Sequence, residues 1–185
     1  MKTLFLPCVL ALIVAAAVQA QDTPATRASL KGLPGVGLSI EPVSADAQRD
    51  GLSERTIRTA VETRLRKAGI RSLSREQQMQ LPQRPCLEIR VALSKLDTGE
   101  YLYSVHVECT QWVASLANPK LSVTTATPLP AKTWSSPNAF GIAPTKGIAG
   151  TVQNAVTTMV DEFTAAYAIA NRSEMAAEAA KGKVR

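Results

Sequence analysis

The residue types that most often carry catalysis or hold metal ions are few in this sequence. His106 is the only histidine among 185 residues, which excludes the common metal sites built from two or three imidazoles. Serines are numerous, but none lies in the Gly-x-Ser-x-Gly motif of α/β-hydrolase nucleophiles. The sequence therefore predicts a protein that is not an enzyme and that binds neither a metal nor a cofactor.

The cysteines raise the question of a disulfide. Cys8 lies in an apolar leader that we expect to be removed, which leaves Cys86 and Cys109 as an even pair. A bridge between them would close a predicted β-hairpin and stabilise it by about 2 to 4 kcal/mol. The predicted strand pairing opposes the bridge, because it places Cys109 on the apolar face and Cys86 on the polar face. Pro85 can end regular pairing at this point, so a disulfide and two free thiols both stay open.

A glycine-rich stretch, residues 141–150, precedes a predicted helix, and such stretches hold phosphate in nucleotide-binding proteins. The phosphate-binding pattern ends in Gly-Lys-Ser/Thr, whereas Lys146 here comes before Gly147. We therefore expect Gly147 and Gly150 to allow close packing against a sheet instead of binding a ligand.

The clearest structural pattern is a β-hairpin within residues 87–113. Apolar and polar side chains alternate on both sides of Asp97-Thr98-Gly99, a three-residue loop whose last position favours glycine because it needs a positive φ. This loop pairs Leu96 with Glu100 and so sets the register. The register places apolar side chains opposite each other on one face: Leu93 with Tyr103, Val91 with Val105, and Ile89 with Val107.

The polar face of this hairpin is the candidate binding surface. Arg90 is predicted to lie opposite His106, and a cation beside the imidazole disfavours both metal binding and protonation of the ring. Glu108 follows on the same face, where Arg90 can pair with it diagonally. Trp112 ends the row, either as a packing residue or as a contact anchor of the kind that dominates protein interfaces. We predict that these four residues line a protein-binding face and that Trp134 packs inside the protein.

The remaining pattern predicts an α+β fold. Before the hairpin, residues 36–40 form a strand, Ser53 begins an amphipathic helix that Gly69 ends, and residues 70–74 form a short strand followed by one or two helical turns. The apolar stripe of this helix is Ile57, Val61 and Leu65.

Beyond the hairpin, a strand begins near Leu121, and Pro128 and Pro130 either end it or confine it to a sheet edge. Residues 132–134 resume pairing and residues 135–145 form a loop. A second amphipathic helix follows, with the stripe Ile148, Val152, Val156, Met159, Val160, Phe163 and Tyr167. We predict a two-layer α/β sandwich, in which two long helices cover one face of a mostly antiparallel sheet of four to five strands.

The first twenty residues have the pattern of a signal peptide. Lys2 precedes an apolar run over residues 4–18, and small residues follow before Gln21, where we expect cleavage. The run is shorter than the roughly 20 residues of a membrane span. Cys8 lies too early for a lipoprotein, and Pro7 replaces the small residue that should precede it. We expect a periplasmic or secreted protein.

With this signal peptide, the chain is predicted to consist of four segments. Residues 1–20 are the signal peptide, 21–31 a flexible leader, 32–171 a single α/β domain, and 172–185 a polar, disordered tail. The net charge of +6 falls to +5 without Lys2. The basic residues are dispersed and no basic stripe alternates with aromatic residues, so we expect no nucleic acid partner and at most a weak association with membranes.

Residues 67–74, Lys-Ala-Gly-Ile-Arg-Ser-Leu-Ser, join the first long helix to the next strand. This segment, the order of elements and the export signal resemble the envelope α/β modules typified by the amino-terminal domain of TolB and by CsgG, although the chain lacks the lipoprotein cysteine of the CsgG group. The resemblance covers residues 36–171 and implies protein–protein contacts without catalysis. We therefore expect a module that binds an envelope or extracellular protein, either through the polar face described above or through the edge strand that Pro128 and Pro130 mark. The alternative is a small-molecule carrier with a pocket between helices and sheet.

Overall fold

The computed structural model describes residues 22–114 and 128–172. The predicted signal peptide, the strand expected near Leu121 and the predicted tail beyond Arg172 lie outside these ranges. Within them the chain forms an α+β fold, as predicted. The helices are α1 (Pro24–Ala28), α2 (Ala45–Arg49), α3 (Glu54–Lys67), α4 (Arg75–Gln80) and α5 (Ile148–Ala170); the strands are β1 (Gly37–Ile40), β2 (Cys86–Lys95), β3 (Tyr101–Ala114), β4 (Pro128–Ser135) and β5 (Ala139–Ala143).

The strands form one mostly antiparallel sheet in the order β1-β2-β3-β4, and β5 also pairs with β3. β1 is parallel to β2, while β2, β4 and β5 are antiparallel to β3. The predicted hairpin register is confirmed from Cys86 opposite Thr110 to Lys95 opposite Tyr101. Its loop closes through a 2.8 Å hydrogen bond from Leu96 N to Glu100 O, and Gly99 has the expected positive φ of 85°.

The two long helices lie together on the apolar face of the sheet, as predicted. α5 contacts α3 and β3, and α3 contacts β1. The predicted stripe residues of both helices are buried. Trp134 is 1% exposed and its ring meets the ring of Phe163 edge-on, with centroids 5.2 Å apart. Its predicted packing role is thus confirmed, and the space between helices and sheet is filled by side chains.

The segment expected to be a flexible leader is folded from residue 22 onward. Thr23 caps α1, and Leu30 after it is fully buried. The hydroxyl of Tyr167 donates to the carbonyl of Leu33, and Asn171 bonds the same segment. The expectation was wrong because the order of this segment comes from contacts with α5, which its own short and polar sequence does not reveal.

Two other elements differ from the sequence analysis. The strand expected over residues 70–74 is a single bridge between Ser72 and Val36, because Ser74 already caps α4 and leaves no length for a strand. The loop expected over residues 135–145 contains β5, whose five residues are flanked by Pro137 and Pro144. Pro128 and Pro130 lie within β4 at the sheet edge. This confirms the alternative in which the prolines confine a strand to the edge.

Candidate functional site

The candidate binding surface is the face of the sheet opposite α3 and α5, here named the open sheet face. Its side chains come from alternate residues of β2, β3 and β5: Arg90, Ala92, Ser94, Leu102, Ser104, His106, Glu108, Phe140 and Ile142. α4 covers one end of this face, where the side chain of Gln78 lies over Gly37. The predicted residues Arg90, His106 and Glu108 therefore share one surface.

The charged side chains on this face neutralise one another. Arg90 lies opposite His106 in the register, as predicted, and its guanidinium donates to the Glu108 carboxylate at 2.5 Å. Lys132 Nζ lies 3.7 Å from the other carboxylate oxygen of Glu108, whose side chain is only 12% exposed. Glu88 accepts a 2.7 Å hydrogen bond from the Thr110 hydroxyl. The row is a compensated ion-pair network, which favours a structural role for these charges.

His106 has one polar partner, the hydroxyl of Ser104, which lies 2.8 Å from Nε2. A hydroxyl beside an imidazole is the first half of a nucleophilic site, but such a site also needs a third group that orients the other ring nitrogen. In the part of the chain that the structure describes, no residue bonds Nδ1, and no three His, Cys, Asp or Glu side chains gather as metal ligands.

Trp112 is held at the covered end of the open sheet face. Its backbone N–H donates to the carbonyl of Gln83 at 2.6 Å. The guanidinium of Arg84 lies over the indole, 4.3 Å from the ring centroid, in a cation–π contact. Trp112 is half-buried in this way, so the structure favours packing over a free anchor. Among the four predicted residues, it is the one whose side chain lies under a cation–π contact.

Three large apolar side chains of the open sheet face are exposed, and they were not among the predicted site residues. Phe140 is 78% exposed, Ile142 59% and Leu102 47%. Ile142 pairs with Leu102, and Phe140 pairs with Ser104 in the adjacent position. The three side chains form one patch, named the apolar cluster below. Leu102 gave the one available signal, because it is an apolar residue at a polar position of the hairpin alternation.

Cys86 and Cys109 are free thiols in this structure. Of the two alternatives that the sequence left open, a disulfide and two free thiols, the structure has the second. The confirmed register places them opposite Thr110 and Leu87, on opposite faces of β2 and β3. Burial is the main cause that raises the pKa of Cys86, and it raises the pKa of Cys109 to about 12. Both groups are therefore poor nucleophiles, because the thiolate is the reactive form.

The glycine-rich stretch does not pack as expected. A Cβ at Gly150 would meet no atom within 4 Å, and a Cβ at Gly147 would meet only Pro144, at ordinary contact distances from 3.5 Å. The expectation of close packing against the sheet was wrong because both residues lie at the start of α5, where no sheet atom comes within 4 Å of a Cβ at either position. The close approach occurs at Gly141, where a Cβ would lie 3.1 Å from the Tyr103 hydroxyl.

Surface grooves occur on the helix side of the molecule. One of about 540 Å³ lies at the end of α3 and includes Arg66 and Arg71, and another of about 540 Å³ lies between α3 and α5. Both are open to solvent. No helix in residues 22–114 and 128–172 combines the length and apolar character that a membrane crossing requires.

Comparison with known proteins gives no relative: no family model, curated protein or solved structure matches the chain. The resemblance to the TolB and CsgG modules thus stays a prediction. The fold and the open sheet face are the observations on which a functional proposal can rest.

Proposed function

We propose that this chain is an exported, non-catalytic module that binds an envelope or extracellular protein through the open sheet face. The observation that carries the proposal is the apolar cluster of Leu102, Phe140 and Ile142, three large side chains that are 47 to 78% exposed in adjacent register positions. Contiguous exposed apolar surface beside polar groups is typical of protein interaction sites.

The chemistry of the surface indicates the kind of partner. The apolar cluster would receive apolar side chains, and the neighbouring Ser104 and Arg90 would form a polar rim. The net charge of +6, or +5 without Lys2, favours association with an acidic protein at low salt. We therefore propose a partner that presents an apolar patch on an acidic surface.

The small-molecule alternative placed its ligand between the helices and the sheet. That space holds the packed side chains of Ile57, Val107, Trp134 and Phe163, each at most 1% exposed. No feature of the described residues favours that alternative.

The export part of the proposal has a direct test. The full chain is expressed in a bacterium with an export pathway, and the intact mass of the protein outside the cytoplasm is measured. We expect a chain that begins at Gln21, because the apolar run and the small residues before it match a signal peptidase site. A protein retained in the cytoplasm with Met1 or Lys2 at its start would refute export.

The binding part is tested with photo-crosslinking amino acids in cells. Ala92 and Ser94 are suitable positions, because both are exposed on the open sheet face and leave the apolar cluster intact. Thr59 is the matched control, since it is also exposed but lies on α3. We expect a defined protein adduct from positions 92 and 94 and none from position 59. The adduct should disappear with Leu102→Glu and weaken as salt is added.

Either of two results would contradict this assignment. One is the absence of an adduct at both sheet positions while Thr59 gives one, which would move binding to the helices. The other is an adduct that persists unchanged in a folded Leu102→Glu variant. Circular dichroism of the variant establishes that it is folded.

A further inference from the structure

β4 and β5 lie in line along one side of β3 and together form an edge of the sheet. β4 pairs with residues 108–114 of β3, and β5 pairs with Tyr101–Val105. In the described ranges no strand pairs with the outer side of β4 or β5. An edge of this kind offers unpaired N–H and C=O groups to another strand.

The register shows which backbone groups point outward. In an antiparallel ladder, successive residues direct their N–H and C=O groups alternately to the two neighbouring strands. The bond from Leu96 N to Glu100 O shows that the even-numbered residues of β3 bond to β2, so the odd-numbered ones bond to β4 and β5. The bond from Ser136 N to Val107 O agrees with this alternation. On the edge, residues 128, 130 and 132 of β4 and residues 140 and 142 of β5 therefore point their backbone groups away from β3.

The two halves of the edge differ in chemistry at these outward positions. On β4 they are Pro128, Pro130 and Lys132, and proline has no N–H while lysine is a common protection of free edges. On β5 they are Phe140 and Ile142, which are uncharged and keep their donors and acceptors. β4 is thus protected against pairing with a further strand, and β5 is not.

The sequence of β5 is complementary to itself. Residues 139–143 read Ala-Phe-Gly-Ile-Ala, which is nearly the same in reverse. If two β5 strands pair antiparallel about Gly141, Phe140 of each copy lies opposite Ile142 of the other. Both residues point their backbone groups outward, so both pairs are hydrogen-bonded pairs and four N–H···O=C bonds form. A two-fold interface requires this reciprocity.

We propose that two copies of this chain pair through the outer edges of β5, with Gly141 on the two-fold axis, and join their sheets into one. The strand carries no charge, so the two positively charged chains meet without local repulsion. The glycines face each other at the closely spaced position of the ladder, where no side chain intervenes. Pairing uses backbone groups and holds whether or not the open sheet face binds a different protein.

Mixed cysteine variants test the register. Phe140→Cys in one sample and Ile142→Cys in another are purified as full chains, then oxidised alone and as a mixture. Opposite residues of a hydrogen-bonded pair have Cα atoms about 5.5 Å apart, within disulfide range. Identical residues of the two copies are offset by two positions and lie about 8 Å apart, outside that range. We expect a covalent dimer in the mixture, and little in either sample alone or in the unsubstituted chain.

Sedimentation velocity supplies a second measurement. The unsubstituted chain should shift from monomer to dimer as its concentration rises, and Phe140→Pro should stay a monomer, because it removes an outward N–H without removing a bond to β3. Leu102→Ala is the control: it reduces the apolar cluster but leaves the edge intact, so it should still dimerise. No covalent dimer in the mixture, equal dimer in each single sample, or a chain monomeric at every concentration would overturn the proposal.

Discussion

Asn171 tests whether the amino-terminal segment is docked on the domain. Asn171 is 2% exposed, and its side-chain amide makes three hydrogen bonds. Its Nδ2 donates to the carbonyls of Leu30 and Tyr167 at 3.0 Å, and its Oδ1 accepts from Gly32 N at 2.7 Å. Asn171→Ala removes all three of these bonds.

The expected cost follows from the surroundings of each lost partner. The Leu30 carbonyl is left unpaired beside a fully buried side chain, at about 1 to 3 kcal/mol. Gly32 is an exposed residue, so we expect its N–H to bond water instead, and the loss of this bond costs about 0.5 to 1.5 kcal/mol. The Tyr167 carbonyl keeps its backbone bond from Asn171 N. We therefore expect Asn171→Ala to lower the free energy of unfolding by about 2 to 4 kcal/mol.

Urea unfolding of the full chain, followed by tryptophan fluorescence, measures this cost from the midpoint and slope. Asn154→Ala is the matched control, because Asn154 is exposed on the same helix and should change stability by about 0.5 kcal/mol at most. In parallel, trypsin should cleave at Arg27 or Lys31 faster in Asn171→Ala than in the parent chain. Equal stability of the two variants, with rapid cleavage of the parent, would show that the segment is the flexible leader that sequence analysis expected.

Three further predictions concern titratable and nucleophilic groups. Because burial raises the pKa of Cys109 to about 12, its thiol should escape a disulfide reagent at about pH 8 until urea unfolds the chain; rapid labelling of folded protein would contradict its burial. Hydrogen bonds from Tyr101 and Lys95 lower the pKa of Asp50 below its usual 3.8, so this carboxylate stabilises the fold above that pH and the contribution is lost as pH falls through the lowered value. Asp50→Asn should therefore reduce the loss of unfolding free energy between neutral and acid pH. An unchanged pH dependence would count against the bonds of Asp50 with Tyr101 and Lys95. A fluorophosphonate probe should not label Ser104; labelling that Ser104→Ala removes would indicate a hydrolase.

The hairpin of β2 and β3 shows what the sequence alone can predict. Its register follows from a three-residue loop and two alternating runs, all within residues 86–110, so local pattern decides it. The same is true of α3 and α5, whose apolar stripes are visible at helical spacing and are buried as predicted. The pairing of Arg90 with Glu108 followed directly from that register.

The elements that escaped prediction depend on distant residues. β5 is short, contains Gly141 and lies between two prolines, so its strand conformation comes from pairing with Tyr101–Val105 and not from its own pattern. The amino-terminal segment likewise carries one turn of helix and is ordered by Tyr167 and Asn171, more than 130 residues away. Short segments contribute little burial of their own, and tertiary contacts therefore decide their structure.

The candidate site changed in character for the same reason. Arg90, His106 and Glu108 are polar groups on one face, an arrangement that suggests recognition, but Arg90 and Glu108 pair with each other, as their register predicted. A compensated ion pair has less free energy to offer a partner than an exposed apolar side chain does, since binding would have to replace contacts that already exist. Phe140 and Ile142 form no ion pair and stay largely exposed where the pairing of β5 with β3 places them beside Leu102. If the open sheet face binds a protein as proposed, the apolar cluster, rather than the charged row, should therefore supply most of the binding free energy.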